Sequence, residues 1–376
     1  MHQVLRRGAV LTVAAALTAT TLTGAPADAR AAKAAAPSRA ELAADWLTRQ
    51  LTDGVVHNGQ FDFDDYGLTI DVALALDAMG GNKATVKDIR SAVATGIGGY
   101  ISGDGTGDPG STYAGATAKA LVLAQTGSGV GHSFGGVDLV DRLESVVATD
   151  APVTGRIADV SGFGDFANVL GQAYAVRSLA RAGSTQAQPA LDFLLEQQCS
   201  EGYFRLNFTA DKGAADQTCD GGDDATTSAP DTDATAVALI SLEALGSDDA
   251  NVTQAIRAGV AWLKDTQRAN GSFGGGTSTE GVNSNSTGLA AWALAGDGSC
   301  GAAVDAATWV TRLQVVKPAA GSKLRKQKGA IAYNGAALAA GRQDGIPTAK
   351  RDQWRRASAQ AAPAMDLLTA AACRRF

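Results

Sequence analysis

A repeated unit constrains this chain more than any other feature of its sequence. The unit reads as a helix ending in an aromatic-aliphatic pair, a Gly-x-aromatic turn, and a second helix rich in Ala and Leu. Its clearest copy is Trp262-Leu263, Gln267 and Gly271-Ser272-Phe273, followed by Asn285-Ser286-Thr287-Gly288-Leu289-Ala290-Ala291-Trp292-Ala293-Leu294. An earlier copy is Phe193-Leu194, Gln198 and Gly202-Tyr203-Phe204, followed by Asp233-Ala234-Thr235-Ala236-Val237-Ala238-Leu239-Ile240-Ser241-Leu242. The second helices of these copies align without a gap at an offset of 52 residues. The first copy is Trp46-Leu47, Gly59-Gln60-Phe61 and Thr69 to Leu76. Weaker copies begin near Lys83, Gly129 and Cys300, carrying Gly99-Tyr100, Gly162-Phe163 and Gly329-Ala330-Ile331. Six helix pairs follow.

The second helices are apolar all round, which suits burial on more than one face. Asp, Asn, Ser or Thr precede them, as N-caps should. The first helices are amphipathic: Ile256, Val260 and Leu263 share one face, while Arg257, Lys264, Asp265 and Arg268 point away. Strand-like alternation is nearly absent. The expectation is an all-α ring of hairpins, with inner helices enclosed by outer ones. Six pairs closing on themselves leave no terminal repeat to be capped. With no Pro-rich linker after residue 38, residues 38–376 read as one domain, interrupted by an acidic insertion at 205–232.

The N-terminus reads as a secretory signal over residues 1–29. Arg6 and Arg7 form its basic region, Gly8 to about Leu22 its apolar stretch, and Ala27-Asp28-Ala29 its cleavage site. Residues 30–37 then form a flexible leader. No stable membrane span is expected once the signal is removed. Frequent Gly and Ala, with Arg exceeding Lys, suggest a high-GC bacterium. All four cysteines follow the signal, and an exported chain should pair them. Of the three possible pairings, locality favours Cys199–Cys219, across a Gly/Asp-rich loop, and Cys300–Cys373, tying down the C-terminus. A net charge of −6 without long basic runs argues against nucleic acid.

The loop motif resembles that of the prenyltransferase/squalene-cyclase repeat superfamily, the α/α-toroid proteins. Trp262 to Phe273 and Phe193 to Phe204 match its spacing; Trp46 to Phe61 matches loosely, with Gln50 one residue early. The resemblance covers about residues 38–345. It implies six helical hairpins closed into a double ring, a Gln that caps the neighbouring helix, and a ring that packs between helices. Three activities known on this fold can be tested residue by residue. Zinc prenyl transfer needs Asp, Cys and His ligands, and only His57 and His132 follow the signal, with no ligand-like spacing. No Gly-Cys-Gly-Glu-Gln thioester run is present. The third activity, class II terpenoid cyclisation, rests on Asp-x-Asp-Asp, whose central Asp protonates an alkene or epoxide in a cavity lined by aromatic faces.

That string occurs once, as Asp62-Phe63-Asp64-Asp65. A near-match, Asp231-Thr232-Asp233-Ala234-Thr235-Ala236, keeps the Thr-Ala that follows the family's string but lacks the last Asp. The catalytic candidates are therefore Asp64 and Asp233. Ligand-binding candidates around them are Asp62, Asp65, Asp231, Asn285 and Tyr333. Capping is the competing role. It is favoured at Asp233, because Asn285 stands at its equivalent in the next repeat. Glycosidases also use six-hairpin barrels, and Asp62, Asp64, Asp165, Asp231 and Asp233 could supply a carboxylate pair. Asp104 to Asp108 and Asp220 to Asp224 are acidic glycine loops that could take calcium; no other cofactor and no metal site is expected. Lys317 to Lys328 reads as a solvated basic loop.

The leading reading is a secreted, extracellular, non-catalytic toroid. It would bind a small hydrophobic or cofactor-like ligand, or a cell-surface partner, at the mouth formed by the inner-helix N-termini. Low aromatic content (6%) supports that choice. The alternative is a class II terpenoid cyclase-like isomerase or lyase with an Asp general acid. A deep aromatic pocket around one Asp favours the enzyme; a shallow polar mouth favours binding.

Overall fold

Six inner helices form a closed ring in the computed structural model, which describes residues 36–221 and 228–376. The expected signal segment and Gly222 to Asp224 lie outside those residues. In chain order the helices are α1 (Arg39–Thr48), α2 (Tyr66–Ala78), α3 (Lys83–Ile101), α4 (Ala114–Ala124), α5 (Leu139–Glu144), α6 (Val169–Ala182), α7 (Ala187–Glu196), α8 (Thr232–Glu243), α9 (Ala250–Thr266), α10 (Ser284–Gly296), α11 (Cys300–Thr311), α12 (Gly335–Asp344), α13 (Thr348–Ala361) and α14 (Ala370–Cys373). Helices α2, α4, α6, α8, α10 and α13 pack side by side, and α13 returns to α2. The outer helices α1, α3, α5, α7, α9 and α11 precede them in turn. This is an α/α toroid.

Small residues make the ring tight. Ala73, Ala118, Ala173, Ala236, Ala290 and Ala293 are fully buried. Where α4 meets α6, a Cβ on Gly171 would lie 2.9 Å from the Gly115 Cα, so the two backbones meet directly. Polar residues cap the inner helices: Asp65, Asn168, Asp231 and Asn283 each accept from a backbone N–H of the first turn.

The repeat motif has a physical explanation. In the turn at Gly271, φ is 88° and an added Cβ would collide with the Asp305 carbonyl of α11, so only glycine fits. The next ring then plunges inward: Phe204 and Phe273 are buried, and their N–H groups donate to Thr235 Oγ1 (2.9 Å) and Thr287 Oγ1 (3.0 Å) of the inner helix. The motif Gln does not cap a helix end, as the resemblance implied. It donates to a carbonyl of the next outer helix, Gln198 to Ala255 and Gln267 to Ala302, both at 2.9 Å. Gln314 closes the circle by donating to the Arg39 carbonyl of α1 at 2.8 Å.

Several expectations are corrected. The first repeat turns at Gly54-Val55-Val56, with Val56 buried, whereas Phe61 is 69% exposed. The third turns at Gly155-Arg156-Ile157, and Phe163 is exposed. Gly99-Tyr100 lies inside α3. A small antiparallel sheet, β1 (Leu51–Thr52), β2 (Val55–Asn58) and β3 (Phe63–Asp64), occupies the approach to α2. The sixth inner helix, α13, lies beyond residue 345 and is rich in Arg rather than Leu. Two of its charges are committed to neighbours: Arg355 donates to the His57 carbonyl and Arg356 to Asp65. The added helix α12 was not anticipated. Disulfides join Cys199 to Cys219 and Cys300 to Cys373. No helix among the described residues is long and apolar enough to cross a membrane.

Candidate active site

The ring encloses an axial cavity of about 350 Å³. Leu74, Leu170, Val237, Ile240 and Leu289 supply apolar walls, and Tyr100, Tyr174 and Trp292 add aromatic faces. Trp292 packs edge-on against Phe376, at 6.3 Å between centroids, so the C-terminal residue backs one wall. The charged residues that line the cavity are Asp71, Lys119, Arg177 and Asp233.

Two of these four neutralise each other. Lys119 Nζ lies 2.6 Å from Asp71 Oδ1 and donates to the Gly67 carbonyl at 3.0 Å. Desolvation is the largest influence on Lys119 and works against its charge, but Asp71 and Tyr174 together hold the ammonium above its usual pKa. Burial pushes the Tyr174 hydroxyl up to about 12, so it stays protonated.

Asp233 stands apart. It is the second residue of α8, and Asp231, one place before the helix, is the cap, with its Oδ1 accepting from the Ala234 N–H at 2.8 Å. The expectation that Asp233 serves as a cap is therefore wrong. Asp233 lines the axial cavity instead, and the Ala234 N–H of the first turn is already taken by Asp231. The Oδ1 of Asp233 is sealed from solvent and makes no hydrogen bond of proper geometry among the described residues. The Ser286 hydroxyl beside it is unmatched as well. Desolvation raises its pKa to about 6; Ser286 lowers it somewhat and the Asp231 carboxylate adds to the rise.

The perfect string lies elsewhere. Asp65 caps α2, with Oδ1 accepting from the Leu68 N–H at 2.8 Å, and pairs with Arg356 at 2.5 Å. Asp64 sits on β3 against His57 Nδ1 at 3.0 Å, and Asp62, 97% exposed, approaches the other nitrogen of that ring at 3.3 Å. None of the three lines the axial cavity. Asp165 is held by Lys212 (2.7 Å) and Arg156 (3.2 Å). Asn285 and Tyr333 meet at a second, more open hollow at the mouth, with Phe61, Asp352 and Arg356. Burial and the nearby Asp233 raise the Tyr333 pKa. In the first acidic glycine loop, Asp104 accepts from Gly110 and Asp108 from Ser161 and Gly162, so these carboxylates organise their own turns. His132, Asp138 and Asp141 gather on the surface, where Asp138 caps α5 and holds the imidazole at 2.9 Å.

Among the residues missed in the sequence, Asp71, Lys119, Tyr174 and Arg177, the clearest signal is Lys119, the one charged residue of the Ala/Leu-rich helix α4. Asn168, Gly171, Tyr174 and Arg177 form a stripe three residues apart along α6.

No protein-family model matches the chain, and no curated protein matches it. Solved structures share its fold. The type II terpene cyclase MstE from Scytonema aligns with a TM-score of 0.58 at 14% identity, covering 89% of this chain and 97% of the cyclase. A protein from Actinoplanes gives 0.55 at 16% identity, covering 88% and 98%. The unsaturated glucuronyl hydrolase from Bacillus sp. GL1 gives 0.55 at 11% identity, covering 88% and 95%. At such identities the likeness establishes the α/α-toroid fold alone.

Proposed function

We propose that this protein is an acid-catalysed enzyme that protonates an alkene in an apolar, isoprenoid-like molecule held in the axial cavity, with Asp233 as proton donor. The observation that carries this reading is Asp233 itself, a buried carboxyl lining the cavity with one oxygen unsatisfied, only the Ser286 hydroxyl beside it, and a pKa raised to about 6. Such a group is protonated often enough near neutral pH to act as an acid. Its O–H proton would go to one alkene carbon, whose π pair forms the new C–H bond. The other carbon is left cationic, and the faces of Tyr100, Tyr174 and Trp292 would stabilise it. Attack by a second alkene closes a ring; water then takes a proton from the carbon beside the final cation, leaving a new alkene, and the Asp233 carboxylate regains its proton from solvent. The Scytonema cyclase, on the same fold, takes geranylgeranyl dihydroxybenzoate as substrate.

The non-catalytic binding reading required a shallow polar mouth. A cavity reaching from Asn168, the cap of α6, to its ninth residue, Arg177, with three aromatic rings in its walls, supports the enzyme instead. The glycosidase reading needs two free carboxylates, and of the five candidates only Asp233 has none of its geometry committed to a cap or an ion pair. We also read residues 1–29 as an export signal, 30–37 as a leader and 38–376 as one secreted domain; two disulfides suit an oxidising compartment.

Incubation with geranyl, farnesyl and geranylgeranyl compounds, followed by mass spectrometry, tests the reaction. Cyclised product should form with wild type and with Asp64→Asn. It should fall about 100- to 10,000-fold with Asp233→Asn. Product that survives Asp233→Asn, or vanishes only with Asp64→Asn, overturns the assignment.

A further inference from the structure

Among the described residues, Arg177 is the cation of the axial cavity with no hydrogen bond or ion pair; Asp77 and the Tyr174 hydroxyl are its electrostatic neighbours. Lys119 is held by Asp71 and the Gly67 carbonyl. Desolvation is strong enough to pull the Arg177 pKa below the usual value. A half-buried guanidinium with five donors and no acceptor fixed on it is available to an anionic group entering the cavity. It stands between two hollows. Above it is the apolar axial cavity; below it is a polar one of about 440 Å³, lined by Asp77, Gln125, Thr126, Arg181 and Leu245.

The position along the axis matters. Asp233 is the second residue of α8 and Arg177 the ninth of α6. The fourth residues of α6 and α8, Gln172 and Thr235, accept from the N–H groups of the corresponding turn residues Ile157 and Phe204, so these two helices share a register and seven residues of helical rise separate the two groups by about 10 Å. Apolar walls lie between them, with the Asp71–Lys119 ion pair, each the sixth residue of its helix, at an intermediate depth. A ligand that fills this space meets a carboxyl at one end and an unpaired cation at the other.

We propose that the molecule bound in this cavity is an anionic amphiphile, a hydrocarbon chain ending in a carboxylate, whose charged end is taken by Arg177 while its far alkene lies at Asp233. The proposal deepens the acid-catalysis reading and rests on the axial cavity being the substrate site. A planar guanidinium receives a carboxylate through two parallel hydrogen bonds, which fixes the direction of the chain as well as its depth. Uptake in this direction is what delivers the remote double bond, rather than the head group, to the acid.

Calorimetric titration with farnesoate, farnesol and butyrate tests this. Wild type should bind farnesoate about 10- to 100-fold more tightly than farnesol, the range expected for a hydrogen bond to a charged group. Arg177→Gln should erase that difference while leaving farnesol affinity unchanged, and Arg177→Lys should restore part of it. Butyrate, with the charge but little chain, should bind far more weakly than farnesoate. Equal affinities for farnesoate and farnesol, a preference that persists in Arg177→Gln, or butyrate binding as well as farnesoate would each overturn the proposal. So would a wild type that binds none of the three. The acid reading is judged separately: Asp233→Asn should keep the carboxylate preference while losing turnover. Loss of that preference alone leaves Asp233 to be tested by its own titration.

Discussion

The approaches to α2 and α8 begin from nearly the same sequence and end in different places. Before α2 the chain carries the complete string Asp62-Phe63-Asp64-Asp65; before α8 it carries the incomplete Asp231-Thr232-Asp233. The complete string ends at its cap. Asp65 is the last residue before the helix, so Asp62 and Asp64 fall on the β-hairpin outside the ring. The incomplete string begins at its cap. Asp231 is the last residue before α8, so Asp233 falls within the first turn and faces the lumen. Register against the helix start, rather than completeness of the motif, decides which carboxyl becomes an acid. The turns differ likewise: Gly202-Tyr203-Phe204 buries its final ring, while Gly59-Gln60-Phe61 leaves its ring on the rim.

The largest expected contrast is in packing. Phe204→Ala should cost about 3–5 kcal/mol through lost contacts and a residual cavity, whereas Phe61→Ala should stay within about 0.5 kcal/mol. Chemical denaturation of both variants measures the difference; similar losses would mean that the two turns pack alike. Trp262→Ala belongs between them. That ring is half-buried against Tyr203, at 5.5 Å, rather than within the core.

The next contrast is electrostatic. The folded pKa of Asp233, about 6, exceeds its ordinary value of 3.8. The folded state therefore holds its proton longer than the unfolded chain does, and stability is lost as pH rises from about 4 to 6. Asp233→Asn should remove that loss, adding roughly 2 to 3 kcal/mol at pH 7 and almost nothing at pH 3. Thermal unfolding across pH checks this. An Asp233→Asn variant whose stability follows the wild-type pH profile would dissolve the distinction between the two strings.

The smallest contrast concerns the caps. Asp231→Ala should cost about 0.5–2 kcal/mol and Asp231→Asn much less, because Asn accepts the same N–H. Asp65→Ala should cost at least as much as Asp231→Ala, since it also frees Arg356. A neutral Asp231→Ala would show that the Ala234 N–H finds another acceptor.

Much of the fold was legible because it is written locally and repeatedly. The Gly-x-aromatic turn, the Gln that clasps the next outer helix and the Ala-rich inner helices each recur with one physical cause. What was misread was less regular. The glycine of the first turn is followed by Val55-Val56 instead of an aromatic, so a later Gly59-Gln60-Phe61 looked like the copy. Helix α13 hides its role because two of its charges bind neighbours across the ring. The site was half legible. Asp233 stands out in the sequence, but the cap lies two residues earlier, at Asp231. Asp71, Lys119 and Arg177 meet only when helices far apart in sequence close around the axis, and no local spacing records that meeting.

The central claim is that Asp233 is a desolvated acid in the lumen, and its own titration tests it most directly. Carbon-detected NMR of protein labelled at aspartate carboxyls, with Asp233→Asn to assign the resonance, gives the midpoint without any substrate. A midpoint near 6 is expected, close to the value of about 6 set by its burial. A midpoint at the ordinary 3.8 would mean that water reaches the carboxyl freely, and would contradict the account.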